Sequence, residues 1–268
     1  MNKKSTIIIP SYQNSEYLRL CIKSILKHSF YDHEIIVHLN GPDIQSENFL
    51  NKEKLFYTKS NENIGLCSAV NLAATKSSTK FILYAHDDMY FLPKWDFFLF
   101  DEINLISHNK YYLSLTQISH TKGVKGNLQH IHFDCGSNLS NFDENKLLDN
   151  FEKFDFRDLQ GSHWAPHIIH RDTWNAIGGF SEEFNPGFAS DPDLNMKLWK
   201  YGVRIFKGLS DCRVYHFASV TLRKKKNINR NRGSDIFLKK WGISINFFLK
   251  FYLNGSYFKN NKIITNKY

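Results

Sequence analysis

The feature that most constrains this chain is a set of short aliphatic runs, each stopping at a polar or turn residue. Thr6 to Ile9 ends at Pro10, Glu34 to Leu39 ends at Asn40-Gly41-Pro42, and Phe81 to Ala85 ends at His86-Asp87-Asp88. Such runs suit buried strands and are too short for buried helices. Helical patterns lie between them. Leu18, Cys21, Ile22, Ile25 and Leu26 follow the i, i+3, i+4, i+7, i+8 stripe of an amphipathic helix. Leu66, Ala69, Val70, Ala73 and Ala74 mark another after the Asn63-Ile64-Gly65 turn. Leu55 to Thr58 and Tyr112 to Ile118 read as further strands, and Pro93 suits the first turn of a helix preceding the latter.

Strands separated by helices of this length imply right-handed βαβ units, hence an α/β, Rossmann-like and mostly parallel sheet flanked by helices. In such sheets ligands sit beyond the carboxyl ends of the strands. That rule selects Ser11-Tyr12, Asn40-Gly41 and His86-Asp87-Asp88, which all place polar groups directly after an apolar run.

The pattern weakens from Ser119 to Gln160, a polar, His- and Asn-rich stretch expected to be a functional or mobile loop. Order returns at Trp164 to His170. Helices are expected near Asp172 to Ile177 and over Asp191 to Tyr201, and short strands at Val203 to Phe206 and Arg213 to Phe217. The tail is basic over Arg223 to Arg232 and then aromatic, with Phe247, Phe248, Phe251 and Tyr252 around Lys250. This divides the chain into a domain over 1–220 and a basic, aromatic extension over 221–268.

Hydrophobic residues make up 42% and charged residues 23% of 268, which argues against disorder, collagen-like repeats and coiled coils. No apolar run approaches the roughly 18 to 20 residues of a membrane helix. The start turns polar after Pro10, too soon for a secretory signal, so a soluble cytoplasmic protein is expected. Lys and Arg number 35 against 26 acids, a surplus of +9 that attracts phosphorylated molecules, acidic lipid or nucleic acid. Nucleic acid is not expected, because no recognisable basic-aromatic reading module is present. Cys21, Cys67, Cys135 and Cys212 are dispersed without metal-binding spacing and read as free buried thiols.

Two adjacent carboxylates, Asp87 and Asp88, repel each other unless a cation or proton offsets them. Hard divalent ions such as Mg²⁺ or Mn²⁺ take carboxylate ligands and often complete their shell with substrate phosphates. Read alone, the pair also suits a solvated turn. Pro192 fits the first position of a helix, making Asp191 a plausible N-cap. Val214-Tyr215-His216 ends a short strand with an imidazole, which can serve as a metal ligand. Acid pair, helix-start acid and strand-end His in this order point to one shared cation.

In IIIPSYQN, in Asn63-Ile64-Gly65 with Asn71, in the strand-borne HDD, in GGFSEEF, in DPDL, in YGVRI and in VYH, the chain resembles the family 2 glycosyltransferases of the GT-A fold. The resemblance runs from Thr6 to about Ser219. It implies that Pro10, Ser11 and Tyr12 line the nucleotide's base and ribose. Asn40 stands where the family usually has an acid that contacts the base. Asn63 and Gly65 shape the sugar-nucleotide pocket, with Asp87 also on the donor. Asp88 is implied as the direct ligand of Mn²⁺ or Mg²⁺, His86 replacing the first acid of the motif, and His216 completes the site. Asp191 matches the catalytic base, preceded by Ser190 instead of Glu, and the helix dipole would keep it ionised through a lowered pKa. His163 and Trp164 fall where the family faces its acceptor, although Trp164 suits the core equally well.

The implied activity is metal-dependent, inverting transfer of a sugar from a nucleoside-diphosphate sugar, a UDP-sugar foremost. The acceptor would be a hydroxyl of a glycan or lipid-linked molecule in cell-surface polysaccharide synthesis. A non-catalytic nucleotide- or sugar-binding module of the same fold is the alternative, motivated by His86, Asn40 and Ser190. The tail suits either the inner face of a membrane or a C-terminal helix packed on the domain.

Overall fold

The computed structural model describes residues 2–122, 130–218, 232–254 and 256–257. Four strands form a parallel block in the spatial order β3-β2-β1-β4: β1 (Thr6–Ser11), β2 (Glu34–Asn40), β3 (Phe56–Ser60) and β4 (Phe81–Tyr84). All six residues of β1 are buried, as a central strand covered on both faces requires. Ile7, Ile8 and Ile9 are fully excluded from solvent, each worth roughly 1.5–3 kcal/mol of apolar burial.

The crossovers are α1 (Ser15–His28), α2 (Ile44–Lys52) and α3 (Leu66–Ala74). In α1 the stripe buries Leu18, Cys21, Ile22 and Ile25, whereas Leu26 is 57% exposed at its edge. Helix α2 has little apolar periodicity. Its start is set by Asp43, whose side chain accepts from the Ser46 N–H.

Two short elements complete this half: β5 (Met89–Phe91) and α4 (Trp95–Leu105). Pro93 lies ahead of α4, not in its first turn, because Lys94 caps the helix at a left-handed φ of 62°. Beyond α4 come β6 (Tyr111–Ser119), β7 (His130–His132), α5 (Glu144–Asn150), β8 (Leu159–Gln160), β9 (His167–His170), α6 (Arg171–Ile177), α7 (Ser190–Tyr201) and β10 (Ile205–His216). Antiparallel β9 joins the β4 edge of the parallel block to β6, and β6 runs parallel to β10.

The expected strands at 203–206 and 213–217 are one twelve-residue strand. Its register shifts between Leu209 and Arg213, and that irregularity breaks the alternation the sequence would otherwise show. The weakly patterned 119–160 stretch holds β7, α5 and β8 in its described part. Ile131, Cys135, Leu147 and Phe151 build a second apolar cluster there with Tyr17, Tyr90, Tyr215 and Phe217.

Past the domain's last motif, α8 (Gly233–Trp241) and a helical segment over Ile245–Leu253 pack back onto it. Phe237, Phe248 and Leu253 are fully buried, while Phe247 and Phe251 are 45% and 59% exposed. Strand β11 (Ser256–Tyr257) pairs with β8. Within the basic run 223–232, residues 223–231 lie outside the described residues. Among the described residues no helix is long and apolar enough to cross a membrane.

Candidate active site

The carboxyl ends of β1, β2 and β4 open onto a cleft of about 430 Å³. Its lining includes Pro10, Ser11, Tyr12, Asn40, Asn63, Asp87, Asp88, Trp164, Asp191 and His216. Of the residues singled out in the sequence, Gly65 and His163 are not in the lining. Gly65 caps α3 at a φ of 85°, where a Cβ would meet the Asn185 side chain at 2.3 Å. His163 lies against Trp164, ring centroids 4.6 Å apart, and its Nδ1 is 3.1 Å from the Gly161 carbonyl.

Strand register explains the gathering. Ile8 of β1 pairs with Tyr84 of β4, so three residues further on Ser11 stands beside Asp87. The Ser11 hydroxyl donates to Asp87 Oδ2 at 2.7 Å. Strand β5 follows the acid pair immediately and pairs antiparallel with β10, setting His216 opposite Met89. The Phe217 N–H donates to the Asp88 carbonyl at 3.1 Å. One short strand thereby carries a histidine from the far end of the chain to the acid motif.

His86, Asp88 and His216 offer ligand atoms that all lie within 4.8 Å of one another. Asp88 Oδ1 is 3.1 Å from His216 Nε2 and 4.0 Å from His86 Nδ1. Gln117 fixes the His216 ring. Its amide nitrogen donates to the Ala165 carbonyl at 2.5 Å, which leaves its oxygen, 3.1 Å from His216 Nδ1, to accept that N–H. The Nε2 lone pair then faces a carboxylate oxygen, and a proton or cation must lie between two such acceptors. Burial, reinforced by the neighbouring His216, lowers the His86 pKa to about 4 against the opposing pull of Asp88. His86 is therefore a neutral imidazole at pH 7, the form that ligates metals. Two imidazoles and a carboxylate fit a divalent transition ion such as Mn²⁺. His86 is the ligand candidate that reasoning from acids alone passes over.

Asn40 has its amide spent on the neighbouring turn. Its oxygen accepts from the Ile64 N–H at 2.8 Å, and its nitrogen donates to Asn63 Oδ1 at 3.1 Å and the Gly65 carbonyl at 3.3 Å. It shapes the cleft wall by holding residues 63–65.

Asp191 differs from the sequence expectation in two respects. It is not the N-cap: α7 begins at Ser190, Ala189 is the cap at a φ of 65°, and Pro192 is third in the helix. Its pKa is not lowered either, because burial raises it from 3.8 to about 7. Desolvation of the charged form outweighs the helix dipole here. Asp191 still lines the cleft that the strand-borne acids line.

Leu66 and residues Pro186 to Ala189 also line the cleft, a wall with no strand-end signature in the sequence. Asn185 ties it to α3, its Oδ1 accepting from the Cys67 N–H at 2.9 Å. Trp164 lines the cleft and is partly exposed there, whereas Trp174 and Phe180 are packing residues.

The architecture matches known proteins. Staphylococcus aureus TarS, residues 1–349, superposes with a TM-score of 0.58 at 16% identity, covering 91% of this chain and 74% of that one. GalNAc-T7 with UDP, GalNAc and Mn²⁺ superposes with a TM-score of 0.63 at 13% identity, covering 92% of this chain. This chain spans only half, 50%, of the GalNAc-T7 chain. The TarS fragment in complex with UDP gives 0.55 at 16% identity, covering 91% and 74%. Both are glycosyltransferases of the GT-A fold, the fold this chain shares. No curated protein sequence matches the chain. The profile of glycosyl transferase family 2 matches residues 6–167, more than half its length, and the chain therefore belongs to glycosyl transferase family 2.

Proposed function

We propose that this glycosyltransferase is a metal-dependent, inverting enzyme that moves a sugar from a UDP-sugar to a hydroxyl of a glycan or lipid-linked acceptor in cell-surface polysaccharide synthesis. The single observation that carries the reading is the cleft itself, whose lining combines the His86-Asp88-His216 cluster with Asp191. UDP as the nucleotide is supported by the UDP-containing structures of GalNAc-T7 and TarS.

Pro10, Ser11 and Tyr12, at the end of β1, offer a surface for the base and ribose, with Asn40, Asn63 and the Gly65 turn as its far wall. Asp87, Asp88 and Asp191 concentrate negative charge that would repel a diphosphate by Coulomb forces alone. His86, Asp88 and His216 would hold Mn²⁺ or Mg²⁺. When bound, the ion would supply positive charge to offset the negative charge developing on the leaving diphosphate.

Asp191 serves as the base. It takes the proton of the attacking acceptor hydroxyl at a carboxylate oxygen. A pKa of about 7 suits this role better than an ordinary aspartate would, because a stronger base is still half ionised at neutral pH. A single carboxylate acting on the acceptor, with attack opposite the leaving group, inverts the anomeric centre. Trp164 offers an apolar ring against which an acceptor sugar can stack, with His163 behind it as support. In this reading the domain over 1–220 carries the transfer chemistry, and the extension over 221–268 packs onto it through Phe237, Phe248 and Leu253. Its exposed Phe247 and Phe251 beside Lys250 suit peripheral contact with the inner face of a membrane.

Release of UDP from a panel of UDP-sugars with Mn²⁺, before and after EDTA, tests the reading. Asp191→Asn should keep UDP affinity within a few-fold and lose turnover. UDP binding without turnover on any donor in the wild type would instead establish a non-catalytic binding module.

A further inference from the structure

Asp193 is fully buried, although Asp191, two positions earlier, lines the cleft. Two steps along a helix turn a side chain by about 200°, so these acids face opposite sides of the first turn of α7. The side that Asp193 faces is where α8 docks. Trp241 Nε1–H donates to Asp193 Oδ1 at 2.8 Å, and Lys240 Nζ lies 3.0 Å from the same oxygen. Lys240 also pairs with Glu183 Oε1 at 2.8 Å and donates to Ser181 Oγ at 2.8 Å, so one ammonium joins the 181–183 turn to α7.

The opposite end of α8 seats on the cleft wall. At Gly233 a Cβ would meet the Phe188 carbonyl oxygen at 2.3 Å and the Ala189 Cβ at 2.8 Å, so only glycine allows this approach. Phe188 and Ala189 line the cleft, and Ala189 holds a positive φ of 65°. A non-glycine residue keeps such a conformation only when its surroundings impose it.

We propose that α8 is a positioning element for transfer: through Trp241, Lys240 and Gly233 it fixes the first turn of α7 and the Phe188-Ala189 wall, and so sets the aim of the Asp191 carboxylate. The proposal rests on the reading of Asp191 as the base. Trp241 and Lys240 do not line the cleft; they act through Asp193. Misplacing a reacting group by about 1 Å costs on the order of a hundredfold in rate, and donor affinity, set at the ends of β1 and β2, is untouched by it.

The test uses the full chain with Mn²⁺, following UDP release from UDP-glucose, UDP-N-acetylglucosamine and UDP-N-acetylgalactosamine, with UDP affinity measured by calorimetry. The Trp241→Phe/Lys240→Met double variant should lose on the order of ten- to a hundredfold in kcat, with donor KM and UDP affinity within about twofold. Lys240→Arg should restore most of the rate in the presence of Trp241. If the double variant does not fold, Lys240→Met alone should show the same split between kcat and KM. Wild-type kcat in a folded variant overturns the proposal, as does a parallel loss of kcat and UDP affinity, which marks a merely structural contact. Asp191→Asn separates the two readings. An inactive Asp191→Asn beside a fully active double variant sinks the positioning role alone, whereas an active Asp191→Asn, or no turnover on any donor, removes the base and the positioning role together.

Discussion

Asp88 and His216 are 128 positions apart in sequence, yet Asp88 Oδ1 and His216 Nε2 lie 3.1 Å from each other. The pairing of β5 with β10 closes that distance, and Gln117 on the adjacent β6 holds the imidazole in the orientation that turns Nε2 to the carboxylate. A site assembled by strand register is stiff, which favours a fixed ligand geometry over one recruited by a loop.

Mn²⁺ should therefore raise the Tm of the wild-type protein in a concentration-dependent manner, since a ligand that binds only the folded state stabilises it by mass action. Asp88→Ala and His216→Ala should each abolish that shift. Thermal denaturation with MnCl₂, with and without UDP, reads it directly, and an undiminished shift in both variants would show that Mn²⁺ binds elsewhere.

The raised pKa of Asp191 fixes the pH dependence. As the proposed base, Asp191 works only when ionised, so kcat should fall about tenfold per unit below a midpoint near pH 7 and level off above it. The stability effect has the opposite sign. Burial favours the neutral acid, so the contribution of Asp191 to stability is full below its unfolded pKa near 4 and is lost as pH rises through about 7. Asp191→Asn, which has no charge to desolvate, should exceed the wild type in Tm at pH 8 and converge with it at pH 4. A pH-independent difference in Tm would contradict the assignment.

Gly65→Ala should damage the proposed donor pocket through the Asn63–Gly65 turn, without touching a side chain that lines it. The new Cβ would lie 2.3 Å from Asn185 Cγ and Oδ1, at a backbone φ of 85°. Positions of this kind cost a side chain about 1–3 kcal/mol. Displacing Asn185 also removes the acceptor of the Cys67 N–H. Urea unfolding should show the loss, and calorimetry should show weakened UDP binding; wild-type values in both would mean that the loop relaxes freely.

Asp96 anchors the other end of the sheet. It is fully buried and accepts from the N–H groups of Phe30 at 2.8 Å and Tyr31 at 2.7 Å. His33 Nε2–H donates to it at 2.9 Å, and the opposite ring nitrogen lies 2.7 Å from the Ser5 hydroxyl. Removing one partner of such a buried set leaves the remaining donors stranded, so Asp96→Ala should cost about 3–5 kcal/mol in denaturant unfolding. A loss under 1 kcal/mol would mean that water replaces the carboxylate.

The parallel block was legible because local chemistry and global fold agree there. Ile7 to Ile9, Glu34 to Leu39 and Phe81 to Tyr84 are β-branched or aromatic runs buried on both faces, and the acids stand where such strands end. Features set by pairing between distant segments left no comparable trace. The insertion of β9, the three-residue β5 and the continuity of β10 through its irregularity each depend on a partner strand, not on composition. His86 was readable as a departure from an acid motif but not as a neighbour of His216. The expected ionised Asp191 failed for a related reason: a helix start is visible in sequence, whereas the protein that later covers a carboxyl is not. Helix α2, with a capping Asp43 and only Ser46, Phe49 and Leu50 buried, falls below what apolar periodicity detects.

All four cysteines are buried, and burial pushes the thiols of Cys67 and Cys135 up to about 12 and 11 and raises those of Cys21 and Cys212 well above the ordinary thiol range. A thiol that stays protonated and covered reacts slowly with maleimides. A single cysteine introduced at an exposed site such as Leu105, 77% accessible, would then take up a fluorophore or spin probe selectively, giving a spectroscopic handle on the native polypeptide without first stripping its own sulfur.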